Sequence, residues 1–368
     1  MNLFMTLLIS IINEYNKSTY ITQCSVEIKR SIKIMKKFLK IFKWMVIIMT
    51  ASIVLFITVN HFNPAPLLKV TGGFLGAEYS YDERVEQTEE VLSDNTKIYR
   101  NVAYASNYPN NYLDIFVPEG DTTTTRPVLF NIHGGGYAWG DKVDNEEFVQ
   151  HFVNEGYIVV SMNYALSPDY LYPVPIIQAT EALEYVAENA KKYGIDNNNF
   201  VISGESAGGQ LAGQLTIIQT NNEYAEKYGF KVTKDITIKG VILNCALIDI
   251  KRVDNTGFAF TNWLFDGMIR AYFDSNEFES TSEVAEANVI ENVNVDFPST
   301  YLTEGTFATF TDQALDFEEK LSSLGIDVTL YITPEESNLA HSYNGDFSTE
   351  EARYNIAQEL YFMKKVTQ

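Results

Sequence analysis

Cysteine and histidine are scarce in this 368-residue chain, which has two cysteines, Cys24 and Cys245, and four histidines, at positions 61, 133, 151 and 341. The cysteines lie on opposite sides of a long apolar run, which argues against a disulfide between them and against a cysteine-based metal site. The histidines are too dispersed for zinc-ligand spacing, so no zinc cluster is expected. Basic residues are scarce in the body of the chain: beyond residue 60 there are 19 Lys and Arg against 46 Asp and Glu, a formal charge of -27, whereas the first 60 residues hold eight against two. Phosphates would be repelled by that acidic body, which excludes nucleic acid as its partner. No internal repeat is present. Hydrophobic residues at 46% and aromatics at 13% are ample for a packed core.

Charge is missing altogether from residues 44–62, "WMVIIMTASIVLFITVNHF". At about 1.5 Å per residue this run nearly spans a bilayer core, and a transmembrane anchor is expected there. Lys29, Arg30, Lys33, Lys36, Lys37, Lys40 and Lys43 precede it. The positive-inside rule therefore makes residues 1–43 a basic cytoplasmic tail and sets the acidic body outside, in a single-pass cell-membrane protein. A cleaved signal peptide, leaving a secreted protein, is the alternative; its apolar region is usually about 7–15 residues and ends at small residues, which "NHFNPAPLLK" does not offer. Met35 opens "MKKFLKIFKW", and a start there would leave residues 1–34 as an extension. Residues 63–96 read as a linker, "NPAPLLKVTGGFLG", followed by an exposed charged helix, "YDERVEQTEEVLSD".

From residue 97 onward the pattern changes. Short β-rich runs, "IYRNVAY", "YLDIFVP" and "PVLFNI", are followed by "YIVVSMNY", "FVISG", "KGVILNC", "STYLTEG" and "DVTLYI", most of the later ones separated by helical patterns. Strands alternating with helices predict an α/β domain over 97–368, with a mainly parallel sheet covered on both faces and an antiparallel edge. Residues 251–296 break the alternation with the aromatic-rich "GFAFTNWLFDGMIRAYF", a candidate cap insertion.

Gly204-Glu205-Ser206-Ala207-Gly208 stands between a strand pattern and a helical one. A nucleophile on a sharp strand-to-helix turn tolerates only small neighbours, and it gains the unpaired N–H groups of the helix start. Ser206 is the candidate nucleophile. Upstream, "HGGG" at 133–136 ends another strand. Glycines let backbone N–H groups approach a tetrahedral oxyanion closely, so Gly135, Gly136 and Ala207 are the candidate oxyanion-hole donors, with His133 organising the loop.

"NIHGGGYAWGD", "MNYALSPDYLYPVPIIQAT" and "ISGESAGGQLA" together resemble the hormone-sensitive-lipase-like branch of the α/β-hydrolase fold, the carboxylesterase and acetyl-esterase family, over about residues 97–365. The resemblance implies an eight-stranded sheet and Ser-His-acid hydrolysis of carboxylic esters without metal or cofactor. Where the family pairs a tyrosine with an arginine, Ala165 follows Tyr164. The fold's chain order of nucleophile, acid, histidine leaves His341, in the loop after the last strand, as the base.

The acid is the irregular point. The family acid usually stands three residues after a glycine beyond the seventh strand, and counting from Gly305 gives Ala308. Glu304 is the leading replacement, with Asp249 after the sixth strand and Asp312 at the next helix start as alternatives. The expected function is a serine esterase acting on short-chain acyl esters, small molecules or acetylated glycans, outside the cell. A prolyl-oligopeptidase-like exopeptidase and a catalytically silent binding protein are the competing readings.

Overall fold

The computed structural model describes residues 2–66, 68–69, 86–92, 96–120 and 124–368. The chain divides into two units, residues 1–61 and 62–368. The first is helix α1, Asn2–Phe62 by its full bounds. Its section Lys29–Phe56 is long and apolar enough to cross a membrane. Within that run the Thr50 hydroxyl donates to the Val46 carbonyl at 2.8 Å. Such a bond satisfies a polar group inside the helix, as an apolar solvent would require.

The second unit is built on one nine-stranded sheet in the order β1-β2-β3-β5-β4-β6-β7-β8-β9. The strands are β1 Thr88–Val91, β2 Lys97–Ala103, β3 Tyr112–Val117, β4 Arg126–Ile132, β5 Ile158–Met162, β6 Ile195–Glu205, β7 Ile238–Asn244, β8 Ser299–Glu304 and β9 Val328–Ile332. β1, β2 and β3 pair antiparallel, β3 pairs antiparallel with β5, and every later pairing is parallel. This is the α/β-hydrolase architecture with one strand more than the eight expected. The addition is β1, which falls in the stretch read from sequence as a charged helix. All four of its residues are exposed, and the ladder to β2 holds it in place of burial. Of the rest of that expected helix, 86, 87 and 92 are non-helical, and 81–85 and 93–94 lie outside the described residues, as do 67 and 70–80 of the linker.

The period-two alternation of the central strands supplies two buried faces. Val128, Phe130 and Ile132 of β4, with Ile202 of β6, share one core with Ile176 and Leu183 of helix α2, Val174–Glu188, and Leu211 and Leu215 of helix α3, Ala207–Thr220. Leu129, Val159, Val201 and Ile242 point the other way, onto Phe148 and Phe152 and onto Ile356 and Phe362 of the carboxyl-terminal helix Glu350–Thr367. Between β7 and β8 the chain leaves the sheet for helix α4, Ala259–Phe273, and two short helices, Ser282–Ala287 and Val289–Asn292. This insertion sits within the interval 251–296 and supplies wall residues to the pocket described next.

Candidate active site

β6 runs into α3 through Ser206, whose backbone is at φ 55° and ψ -119°. A non-glycine residue is strained at positive φ, and the surrounding contacts hold it. The Ser206 N–H donates to the Asn244 carbonyl of β7 at 2.9 Å, and its own carbonyl accepts from Gln210 at 3.1 Å. Room for the turn comes from the flanking glycines. A Cβ at Gly204 would lie 2.1 Å from the Gly208 carbonyl oxygen, and one at Gly208 would lie 2.3 Å from the carbonyl oxygens of Ile132 and His133. The helix start is therefore pressed directly against the end of β4, beside the "HGGG" loop.

That loop is held by aromatic stacking and hydrogen bonds. His133 stacks on Tyr164 with centroids 4.3 Å apart, and its Nδ1 lies 2.9 Å from the Gly134 carbonyl. The Tyr164 hydroxyl donates to the His133 carbonyl at 3.1 Å. Burial lowers the His133 pKa, keeping the ring neutral. Gly135 and Gly136 have φ of 98° and 59°, and the Gly135 carbonyl turns back to accept from Ala138 and Trp139. Gly135, Gly136 and Ala207 all line the same pocket as Ser206.

His341 reaches Ser206 from the loop after β9. Its Nε2 is 2.8 Å from Ser206 Oγ. The ring is clasped by Phe265 of α4 and by Phe310, with centroids at 5.1 and 5.2 Å. Its burial lowers the imidazole pKa to about 4. On the far side, Nδ1 is 3.0 Å from the Thr309 hydroxyl, which in turn donates to Oε2 of Glu304. The acid proposed from sequence thus arrives at the ring through a threonine. A bridge between Phe307 and Ala340, with Thr306 and Phe307 donating to the Leu339 carbonyl, ties the two loops together and fixes this geometry.

The two other candidate acids are engaged elsewhere. Asp249 caps the turn Ile250–Arg252, accepts from Asn288 at 3.0 Å and pairs with Arg252 at 2.8 Å. Asp312 opens helix Thr311–Ser323, accepts from Asn255 at 2.7 Å and faces the same Arg252. Two functional neighbours were missed by sequence reasoning. Glu205, the variable residue of the elbow motif, accepts from Ser342 and stands 4.0 Å from His341 Nε2; burial raises its carboxyl to about 7. Thr309 follows the position where an acid was sought, and nothing in the local sequence marks it.

Among the described residues, Cys245, Glu304 and His341 form a group able to offer ligands to a metal, with donor atoms within 4.8 Å of one another. The thiol is fully buried and its pKa is pushed well up by that burial, and Nδ1 of His341 is already engaged by Thr309. A neutral thiol is a poor ligand, so the trio reads as a packed hydrogen-bonding neighbourhood. Above Ser206 opens a cavity of about 170 Å³ walled by Leu247, Val253, Leu264, Phe265, Met268 and Phe310. An oxygen nucleophile paired with a neutral imidazole, at a helix start and under an apolar cavity, suits acyl transfer.

Comparison with known proteins points the same way. The family model described as BD-FAE matches residues 113–321. The chain is similar to a probable carboxylic ester hydrolase, LipM, of Mycobacterium tuberculosis, 26% identical over 234 residues that cover 62% of this chain and 53% of that one. It is also similar to arylacetamide deacetylase of Bos taurus, 37% identical over 103 residues, 27% of this chain and 26% of that one. Esterase B from Lactobacillus Rhamnosis has the same fold, with a TM-score of 0.64 at 21% identity over 76% of this chain and 88% of that one. The chain spans about half to two thirds of the length of the first curated relatives it matches.

Proposed function

Because the chain belongs to the BD-FAE family, within the hormone-sensitive-lipase-like α/β-hydrolases, we propose that it is a serine carboxylic ester hydrolase. The observation that carries this reading is the 2.8 Å contact between Ser206 Oγ and His341 Nε2 at the floor of an apolar cavity. Ser206 attacks the ester carbonyl as its proton passes to Nε2. The oxyanion is received by the N–H groups of Gly135, Gly136 and Ala207. Collapse expels the alcohol, which takes the proton from His341, and a water activated by the same nitrogen releases the acid from the acyl-enzyme. Glu304 acts as the acid that stabilises the imidazolium. The modest volume of the cavity, about 170 Å³, favours short acyl chains, small-molecule or acetylated-glycan esters among them.

The esterase acts outside the membrane in this reading, on a domain tethered by residues 44–62. Its support is the apolar section of α1 and the seven basic residues between positions 29 and 43. The test of the chemistry is labelling with a fluorophosphonate and hydrolysis of p-nitrophenyl acetate by the full chain. Labelling at Ser206, lost together with turnover in Ser206→Ala, is the expected result. A folded protein that neither labels nor hydrolyses any ester would instead be a binding protein on a hydrolase scaffold.

A further inference from the structure

Ala308, where the family acid would stand, has no side-chain charge and lies at φ 52°. The next residue, Thr309, is buried and places its hydroxyl between His341 Nδ1 and Glu304 Oε2. We propose that Thr309 is the positioning residue of this site: its hydroxyl relays the hold of Glu304 onto the imidazole and selects the tautomer that leaves Nε2 free to accept from Ser206. The inference rests on the esterase reading above and deepens it.

The argument follows from counting donors. A threonine hydroxyl has one proton and two lone pairs, and an ionised carboxylate only accepts. Where Glu304 is ionised, as pH rises through about 8, the Thr309 proton goes to the carboxylate and the Thr309 oxygen offers the ring only a lone pair. Nδ1 must then carry the N–H, and Nε2 is left bare, facing Ser206 at 2.8 Å. When Nε2 takes the serine proton, positive charge spreads to Nδ1–H. That charge strengthens the bond to Thr309 and, through it, the bond to Glu304. No proton leaves Thr309 at any stage; the residue orients and polarises. The bridge between Phe307 and Ala340 sets the two ends of the chain of bonds at a fixed distance. A hydroxyl in the gap supplies the reach that a carboxylate on the strand end lacks.

The test is steady-state kinetics on the full chain with p-nitrophenyl acetate at pH 9, where Glu304 is ionised, comparing Thr309→Val, Thr309→Ser, Glu304→Gln and the double variant Thr309→Val/Glu304→Gln. Loss of the wrong-tautomer safeguard can cost up to about 10⁴-fold in kcat where the acid is direct. For the relayed acid, Thr309→Val is expected to lower kcat by about 10²-fold or more with KM changed less than about threefold. Thr309→Ser should restore kcat to within about fivefold of wild type. Glu304→Gln should cost much less in the Thr309→Val background than alone, because the hydroxyl carries its effect. Wild-type kcat in Thr309→Val, failure of Thr309→Ser to rescue, or fully additive losses would each overturn the proposal. If Thr309→Val does not fold, Thr309→Ala and its serine counterpart decide the same question. Undiminished turnover in Ser206→Ala would instead defeat the esterase mechanism itself, a result separate from these.

Discussion

Glu304 and His341 are joined through one intervening hydroxyl, that of Thr309, while the opposite ring nitrogen of His341 meets Ser206 at 2.8 Å. The acid end of the site is therefore longer by one link than a directly paired triad. The expected consequences concern turnover, pH dependence, stability and substrate size.

Turnover should separate the three acids proposed from sequence. Glu304→Gln is expected to lower kcat by roughly 10-fold or more, whereas Asp249→Asn should leave kcat within about threefold of wild type, since Asp249 serves Arg252 and Asn288. Asp312→Asn should behave like Asp249→Asn. Parallel measurement with one aryl acetate at pH 9 checks all three, and a dominant loss in Asp249→Asn would reassign the acid.

The pH profile should show two features. Burial holds His341 at about 4, below its ordinary 6.5, so the base stays unprotonated as pH falls and activity is lost only as pH approaches that lower value. Burial raises Glu304 to about 8, so its carboxylate form, which best supports the imidazolium, appears as pH rises through 8. A rise in kcat/KM near pH 8 in wild type and its absence in Glu304→Gln is the expected pattern. Glu205, held at about 7 and 4.0 Å from Nε2, and the buried Cys245 thiol also face this region. Retention of the rise in Glu205→Gln excludes Glu205 as its source.

Stability should fall as pH rises from the acidic range through about 8. Glu359 is fully buried, accepts from Asn355 at 2.6 Å and has its carboxyl raised by burial to about 8. A carboxyl raised in the folded state stabilises fully below its unfolded value near 4.5, and that contribution is lost as pH rises through about 8. Glu304 acts in the same direction; His341, lowered on folding, instead costs stability only below about 6.5. Thermal melting of wild type should drop between pH 6 and 9. Glu359→Gln should flatten that drop, leaving the variant more stable than wild type at pH 9 by on the order of a kcal/mol.

Acyl preference should respond to the wall. Met268, on α4, lines the cavity against Gly136; a Cβ at that glycine would lie 2.1 Å from its sulfur. Met268→Ala should raise the kcat/KM ratio of hexanoate over acetate esters by about 10-fold, at a stability cost of about 2–5 kcal/mol. An unchanged ratio in a folded variant would show that the acyl chain lies elsewhere.

Much of this was legible in the sequence for mechanical reasons. Gly204 and Gly208 flank Ser206 because any Cβ there meets backbone, a constraint that writes itself into a short motif. His341 was found by chain order and by elimination among four histidines. Thr309 was not legible: its importance arises where the 305–309 loop meets the 338–341 loop, a contact between segments some thirty residues apart. β1 was misread for a related reason. "TEEV" buries nothing, so its sequence bears a helix-like charge pattern, and only the ladder to β2 makes it a strand. Strand β1 and the link to the acid both depend on partners that local sequence does not reveal.

Phe265 sits in the cavity wall and, on the same ring, 5.1 Å from His341. A single side chain thereby serves as both sieve and bearing. Selection for a bulkier substrate that trims this ring would also loosen the imidazole, so breadth of substrate would be gained at the expense of speed. Lineages that keep their pace are then confined to remodelling the other walls, at Leu264 or Met268, and the aromatic at 265 becomes a brake on how far the enzyme's menu can drift.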